Sequence, residues 1–372
     1  MSPLHRRGFS HTHAAVQHGI DMTERKIRKP VNLALQGGGS HGALTWGVLD
    51  RLLEDDRLEI AEISGTSAGA MNAVVLADGY ERGGRDGARA ALETFWRAIS
   101  GAAKSSPIQR SPLDRLLGRF SLDTSPGYLF LEGLSRVLSP YQLNPLNLNP
   151  LRDLVEKLVD FDNVNRCKAI SVHVTATQVR TGRARIFSRG TVTLDSVMAS
   201  ACLPLLYPAV VIEDEPYWDG GFSANPALMP LVTSSASPDI VIVQINPIVR
   251  HEPPYLAREI INRMNEISFN TALIKELRAI ALMQQMVEAK GFDLGAAGRT
   301  FIHMIHTDAE VQDLSASSKL NAEWEYLRML FERGRGWASA WLDQHFDVIG
   351  QASSFDLEAF FDDPATKPSS VK

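Results

Sequence analysis

The sequence predicts a three-layer α/β/α fold around a central, mostly parallel sheet of about six strands. Residues 240–246 (IVIVQIN) and 301–306 (FIHMIH) are almost entirely apolar, as in strands that helices cover on both faces. Residues 31–71 begin with alternating apolar residues, break at three glycines and continue with apolar residues at helical spacing. This order of strand, helix and strand is typical of α/β proteins.

The regular elements are predicted from periodicity and from their glycine and proline boundaries. The first strand (31–35) is followed by a helix that begins at Gly42 and by a second strand that ends at Gly65. Further helices are predicted at 68–77, 88–99, 151–159, 194–202, 257–290 and within 316–350, and further strands at 169–179 and 184–188. A polar, glycine-rich turn at 79–87 separates the first two of these helices.

Residues 100–150 interrupt this regular pattern. They mix Ser, Pro, Asn and Leu and contain short helices between proline stops. The segment forms either a cap over a functional site or a surface insertion. As a cap, it would line an acyl pocket with Phe120, Tyr128, Leu129, Phe130 and Tyr141.

The domain boundaries follow from changes in composition. Residues 1–29 are basic and are predicted to be a flexible extension, residues 30–350 a single domain, and residues 351–372 a C-terminal tail. The scattered histidines of the extension have no metal-ligand spacing, and we expect no metal there.

Composition and charge exclude a general affinity for nucleic acid. The chain has 372 residues, of which 44% are hydrophobic and 22% charged, with a formal net charge of -5. A negative net charge gives no general attraction to nucleic acid or to anionic lipid. Cys167 and Cys202 are far apart in the sequence, and we expect both to be reduced thiols. No stretch is apolar enough for a signal peptide or a membrane span, so we expect a cytoplasmic protein with at most peripheral membrane contact.

Three glycines, Gly37, Gly38 and Gly39, lie between the first strand and the helix that begins at Gly42. Glycines leave backbone N–H groups uncovered, and the start of a helix carries partial positive charge. The loop is therefore a candidate anion site, or an oxyanion hole for a reaction that develops negative charge. Alone, such a loop also fits a simple chain turn or a phosphate site, although no P-loop lysine follows Gly42.

Two further motifs supply candidate reactive side chains. Ser67 lies between Gly65 and Gly69 in a G-x-S-x-G pattern, which is typical of a nucleophilic serine on a tight strand-to-helix turn. Far downstream, Asp219 is followed by Gly220 and Gly221. This aspartate is a candidate base, while an ordinary Asp-Gly turn is the alternative interpretation.

In this order the motifs GGGSHG, GTSAG and DGG resemble those of the patatin-like phospholipases, a family of serine acyl hydrolases with a Ser–Asp dyad. The resemblance also covers residues 199–204, Tyr207-Pro208 and Asn225-Pro226 around the aspartate. One departure is His41, since the family usually carries Arg or Lys at that position of the loop. A histidine is only partly charged near neutral pH.

The resemblance implies that Ser67 is the nucleophile, Asp219 the base, and Gly37, Gly38 and Gly39 the oxyanion hole. Gly42, Gly65, Gly69, Gly220 and Gly221 complete the motifs. The implied substrate is a phospholipid or another lipid ester, and neither metal nor cofactor is expected. An intracellular polyester or a soluble ester fits the same site.

Two other mechanisms remain open from the residues alone. A Ser–Asp–His triad would use His303 or His306, which follow Ser67 and Asp219 in the chain order of α/β-hydrolases. A phosphate-binding protein without hydrolytic activity would use the glycine loop and leave the serine motif unexplained.

Overall fold

A mixed sheet forms the centre of the fold, in a computed structural model that describes residues 28–234, 236–250, 252–306 and 314–362. Most of the predicted N-terminal extension lies outside these ranges. Within them the sheet has eight strands: β1 Lys29–Leu35, β2 Leu58–Thr66, β3 Ser171–Gln178, β4 Ala184–Phe187, β5 Val210–Ile212, β6 Glu215–Asp219, β7 Asp239–Val243 and β8 Phe301–Ile305.

The strand order is β5-β6-β3-β2-β1-β7-β8, and β4 pairs with β3. The neighbours from β3 to β8 in this order are all parallel, while β4, β5 and β6 pair antiparallel. The predicted three-layer fold with a mostly parallel sheet is therefore confirmed. The two additional strands, β5 and β6, were not predicted.

Helices cover both faces of the sheet. In the described ranges they are α1 Gly42–Glu54, α2 Ala68–Ala103, α3 Pro112–Leu116, α4 Pro126–Ser135, α5 Pro140–Leu143, α6 Pro150–Leu158, α7 Phe161–Arg166, α8 Leu194–Ser200, α9 Met229–Val232, α10 Ala257–Lys290, α11 Trp324–His345 and α12 Leu357–Asp362. Leu33 and Val241 face a core shared with α1, α2 and α11. Ala34 and Ile242, the next residues along their strands, face a core shared with α9 and α10.

Helix α2 is bent sharply at Gly83 and Gly84, which have non-helical backbone angles. The predicted glycine-rich turn is thus confined to these two residues. Gly79 and Gly87 remain helical and allow the two arms to touch, because a Cβ on Gly79 would lie 2.6 Å from Ala91 Cβ. The arm after the bend therefore packs along the arm before it, and Trp96 Nε1 donates to Asn72 Oδ1 near the start of α2.

Strands β2 and β6 lie along the same edge of β3. Strand β3 pairs with β2 through residues 171–175, with β6 through 176–178 and with β4 through 174–177. A strand has two edges, and β4 overlaps with both other partners. Strand β4 therefore occupies one edge, and β2 and β6 share the other.

This shared edge brings the ends of β2 and β6 together. Thr66, the last residue of β2, pairs with Thr175. Asp219, the last residue of β6, pairs with the next residue of β3, Ala176. Ser67, which follows β2, and Asp219, which ends β6, therefore lie close together at this edge of the sheet.

Part of the predicted C-terminal tail is packed on the domain. The N–H of Phe355 donates to the Ile302 carbonyl at 3.1 Å, and the Ile302 N–H donates to Ser353 Oγ at 3.0 Å. Leu357, the first residue of α12, is buried beside β7 and α10. Residues 353–357 are therefore packed on the domain, while the domain boundaries at 30 and 350 stay predictions. Among the described helices, none combines the length and the apolar character needed to cross a bilayer.

Candidate active site

Ser67 occupies the sharp turn between β2 and α2. Its backbone angles, φ 54° and ψ -120°, lie in a region that side-chain-bearing residues rarely adopt. The flanking glycines make the turn possible: a Cβ on Gly65 would lie 2.6 Å from the Gly69 carbonyl oxygen, and one on Gly69 would overlap the Leu35 carbonyl oxygen. The Ser67 N–H donates to Ser200 Oγ at 2.9 Å, which fixes the turn from α8.

Asp219 is held rigidly at the end of β6, with 2% of its surface exposed. Its N–H donates to the Cys202 carbonyl at 2.8 Å, and its own carbonyl accepts from Thr177 Oγ1 at 2.8 Å. The Gly221 N–H donates to Asp219 Oδ1 at 2.7 Å. The backbone and one carboxylate oxygen are thus fixed, and the carboxylate can interact with Ser67.

Burial raises the pKa of Asp219 to about 6, because an ionised carboxylate loses its hydration in this site. The Gly221 N–H, the Ser67 hydroxyl and the positive charge of Lys319 each lower the pKa and offset part of this effect. The Ser67 hydroxyl therefore lies close to the Asp219 carboxylate, in the same cavity. Such a carboxylate is a stronger base than an exposed one, yet it is largely ionised at neutral pH.

The glycine loop runs directly beside Ser67, since a Cβ on Gly37 would lie 2.7 Å from Ser67 Cβ. The Gly37 N–H donates to Asn225 Oδ1 at 2.6 Å. Within the described part of the chain, the N–H groups of Gly38 and Gly39 have no hydrogen-bond partner. Of the three predicted oxyanion-hole residues, Gly38 and Gly39 therefore have N–H groups available for an anion, whereas the N–H of Gly37 orients Asn225.

Two further close approaches bring the elements around Ser67 together. A Cβ on Gly42 would lie 2.7 Å from Ala68 Cβ, so α1 and α2 begin in contact. A Cβ on Gly220 would overlap the Thr175 carbonyl oxygen, so the turn after β6 lies against β3. All the predicted motif glycines thus converge on Ser67.

His41 does not supply positive charge to the loop. It is buried, and its Nε2 is 2.9 Å from Ser318 Oγ. Burial lowers the pKa of His41 well below its ordinary value, and the charges of Lys319 and Arg250 lower the pKa further. The imidazole is therefore neutral at physiological pH.

A cavity of about 280 Å³ contains Ser67, Asp219 and the glycine loop. Its apolar wall comes from α2, from the segment after α8, from α6 and from α10, through Met71, Phe95, Trp96, Ile99, Leu151, Ala201, Leu203, Leu206, Tyr207 and Phe269. The predicted pocket residues Phe120, Tyr128, Leu129, Phe130 and Tyr141 do not line this cavity. That prediction is wrong, because the second arm of α2 folds back and supplies the aromatic wall instead.

The candidate triad histidines lie elsewhere in the sheet. His303 Nε2 is 2.9 Å from Asp239 Oδ1, and its Nδ1 is 2.9 Å from Ser354 Oγ. Strands β1 and β7 separate β8 from β2, which puts His303 roughly 14 Å from the end of β2 at ordinary strand spacing. His306 follows the same outer strand.

Sequence reasoning missed three supporting side chains. Ser200 and Asn225 lie in segments that the family resemblance covers, but their contacts depend on the folded chain. Lys319 lines the cavity and donates to Asn246 Oδ1 at 2.7 Å. It lies in a serine-rich stretch without a motif, so no sequence signal marks it.

Comparison with known proteins identifies a family over the part of the chain that carries the site. Residues 33–232 match the family described as Patatin-like phospholipase. A search of the curated proteins found no significant match.

Solved structures give weak likenesses. VipD from Legionella pneumophila is 16% identical, with 86% of this chain and 67% of VipD covered and a TM-score of 0.38. The type III effector ExoU is 14% identical, with 86% and 54% covered and a TM-score of 0.34. ExoU in its complex with SpcU, from Pseudomonas aeruginosa, is 14% identical, with 82% and 54% covered and a TM-score of 0.30. The chain spans about half the length of ExoU.

Proposed function

Since this chain belongs to the patatin-like phospholipase family and is thus a lipid ester hydrolase, we propose that it cleaves carboxylic esters through an acyl-enzyme on Ser67. The observation that carries the proposal is that Ser67 and the buried Asp219 carboxylate lie close together in one apolar cavity. The N–H groups of Gly38 and Gly39 lie in the same cavity. A nucleophile, a base and an oxyanion site are thus within one cavity.

In the first half of the reaction, Ser67 Oγ attacks the ester carbonyl carbon while Asp219 accepts the hydroxyl proton. The carbonyl oxygen becomes an oxyanion, and the N–H groups of Gly38 and Gly39 donate to it. One such donor typically lowers the barrier by about 3 kcal/mol. The tetrahedral intermediate then releases the alcohol, which takes the proton back from Asp219.

In the second half, water attacks the acyl-enzyme and Asp219 accepts a proton from that water. The acid leaves, and Ser67 regains its proton. No step needs a histidine. His303 is engaged with Asp239, and His41 interacts with Ser318. These contacts favour the dyad over the triad.

The walls of the cavity favour an acyl chain as the bound group. They are mainly aliphatic and aromatic, and burial of methylene groups contributes about 0.8 kcal/mol per CH₂. We infer a phospholipid or another lipid ester as substrate, rather than a small polar ester.

The surface beside the cavity fits peripheral contact with a lipid surface. Ile260, Ile261, Met264 and Ile267 of α10 are exposed and lie within about two and a half turns before Phe269, which lines the cavity. Leu205, between two cavity residues, is 63% exposed. These five side chains, which we call the apolar rim, would enter the headgroup region of a membrane that supplies the substrate.

Hydrolysis of three substrate classes tests the proposed function. We expect release of fatty acid from phosphatidylcholine vesicles or acylglycerols, unchanged by EDTA because no step uses a metal. Ser67→Ala is the blank. A short hydroxyacid oligomer is the competing substrate, and preferential hydrolysis of it would favour the polyester alternative. Fully active Ser67→Ala protein, or activity lost with EDTA, would contradict the mechanism.

A charged substitution in the apolar rim should distinguish binding to a lipid surface from the hydrolysis step itself. We expect Met264→Glu to reduce hydrolysis of phosphatidylcholine vesicles at least fivefold, since a charged side chain disfavours insertion. Hydrolysis of a soluble p-nitrophenyl ester should stay unchanged. Leu282→Glu, a substitution of another exposed residue of α10, is the matched control. Equal vesicle hydrolysis by both variants would count against the rim.

A further inference from the structure

Lys319 is fixed against the glycine loop by its main chain and by its side chain. Gly39 has a left-handed backbone with φ 58°, and a Cβ there would overlap the Lys319 carbonyl oxygen. The ammonium group donates to Asn246 Oδ1 at 2.7 Å, and Asn246 Nδ2 in turn donates to the Gly37 carbonyl at 2.6 Å. A side chain with this support has a defined position in the cavity that contains Ser67 and Asp219.

Burial and the charge of Arg250 lower the pKa of Lys319, whereas Glu266 and Asp219 raise it. Glu266 is a nearby carboxylate, but it already accepts from Arg250 at 2.6 Å and from Arg263 at 3.1 Å. Two guanidinium groups therefore compensate this one carboxylate. His41, on the loop itself, is neutral. Within the described residues, Lys319 is thus the cation that shares the cavity with Asp219.

We propose that Lys319 is a positioning residue of the acyl hydrolase site. Its ammonium group stabilises the negative charge of Asp219 and that of the substrate oxyanion, which accepts from the N–H groups of Gly38 and Gly39. The inference rests on the proposed function. Inside a site of low dielectric constant, a fixed positive charge acts more strongly than in water. It opposes the cost of burying the ionised base, and it favours the oxyanion that forms at the same loop.

The other groups that face Asp219 do not carry a compensating charge. Burial raises the pKa of the Cys202 thiol to about 11, so this thiol is neutral in the range where the enzyme would be assayed. Ser67 and the Gly221 N–H are uncharged donors. Removal of the Lys319 charge should therefore change the ionisation of Asp219 and hence the pH dependence of hydrolysis.

The experiment is the pH profile of kcat/KM with a soluble, uncharged p-nitrophenyl ester. Hydrolysis falls on the acid side as Asp219 takes up a proton. A nearby opposite charge lowers a carboxyl pKa by about 1–3 units. In Lys319→Met we expect the midpoint of the acid limb to move upward by about half a unit or more, and kcat/KM above the limb to fall at least tenfold.

Two more variants and a control separate charge from packing. Lys319→Gln is neutral but keeps a donor for Asn246 Oδ1, and the midpoint of its acid limb should also move upward. Lys319→Arg keeps the charge, and its limb should stay near that of the unmodified protein. Lys168→Met replaces an exposed lysine before the start of β3 and should change neither quantity.

An unmoved acid limb in both folded neutral variants would overturn the inference, as would failure of both to fold, because Lys319 would then be purely structural. An equal shift in Lys319→Arg would also overturn it. These outcomes differ from failure of the proposed function. If the proposed function is wrong, Ser67→Ala would remain active, and the inferred role of Lys319 would then be wrong as well.

Discussion

Asp219→Asn is expected to lose ester hydrolysis by at least a hundredfold while gaining stability at neutral pH. The amide cannot accept the Ser67 proton, and a positioned base contributes about 10²–10⁴-fold. The gain in stability has a separate cause. Burial raises the pKa of Asp219 to about 6, against about 3.9 in an unfolded chain. Above pH 6 the native protein therefore contains a buried carboxylate that costs about 3 kcal/mol.

The pH dependence of this difference identifies its origin. Below pH 4 Asp219 is protonated in both folded and unfolded chains, so Asp219→Asn and the unmodified protein should be equally stable. From pH 4 to 6 the native protein loses stability relative to the variant, and above pH 6 the difference should stay constant. Chemical unfolding at pH 4, 6 and 8 measures it. Asparagine keeps an oxygen for the Gly221 N–H, so the local geometry is retained.

Asp214→Asn, in the exposed turn between β5 and β6, is the matched control, with no change expected in activity or in pH dependence. Ser67→Ala should match Asp219→Asn in lost activity. A variant Asp219→Asn that keeps most of its hydrolysis would rule out Asp219 as the base. Equal stability at pH 8 would show that the carboxylate is better solvated than the structure indicates.

Gly69→Ala is expected to destabilise the protein by more than about 3 kcal/mol and to abolish hydrolysis. The new methyl group would overlap the Leu35 carbonyl oxygen and lie 2.9 Å from the Gln36 carbonyl oxygen. Both are backbone atoms where β1 meets the glycine loop, so no side chain can move aside. Movement of either segment would displace Ser67 from the loop.

Gly101→Ala is the control within the same helix, because a Cβ there meets no atom within 4 Å. Alanine is the better helix former, so this variant should be slightly more stable, by about 0.5–1 kcal/mol. Denaturant unfolding and p-nitrophenyl ester hydrolysis measure both variants. Equal unfolding midpoints for Gly69→Ala and Gly101→Ala would show that α2 can shift away from β1 without cost.

The fold could be predicted where a local pattern reflects burial. Strands β7 and β8 are almost entirely apolar because helices cover both of their faces. Helix α10 was predicted with its observed bounds. Strands β5 and β6 could not be predicted in this way. Val210–Ile212 is too short for a pattern, and Glu215–Asp219 (EPYWD) contains a proline and no clear alternation. These strands are defined by their partners across the sheet.

The site was predictable for a related reason. A strained serine turn and a close backbone approach each need glycines at fixed positions, so Ser67 and the glycine loop leave local signatures. The acyl pocket leaves none. Phe95 and Trp96 lie in the predicted helix 88–99, and the bend in α2 decides that they face the cavity. The catalytic roles of Ser67 and Asp219 stay proposals until the variants are measured.

The shared edge of β3 also determines when Ser67 and Asp219 come together in a folding chain. The turn at Ser67 joins β2 to α2, and both are close to β1 in the sequence. Its contact with Ser200 comes from later in the chain. Asp219 reaches Ser67 only after a long stretch of intervening chain has formed β3 and returned along the same edge. Such non-local pairing carries a loop-closure cost and is slow. We therefore infer that the turn at Ser67 forms before Asp219 reaches it, and that the proposed pair of Ser67 and Asp219 is complete only when β6 has paired with β3.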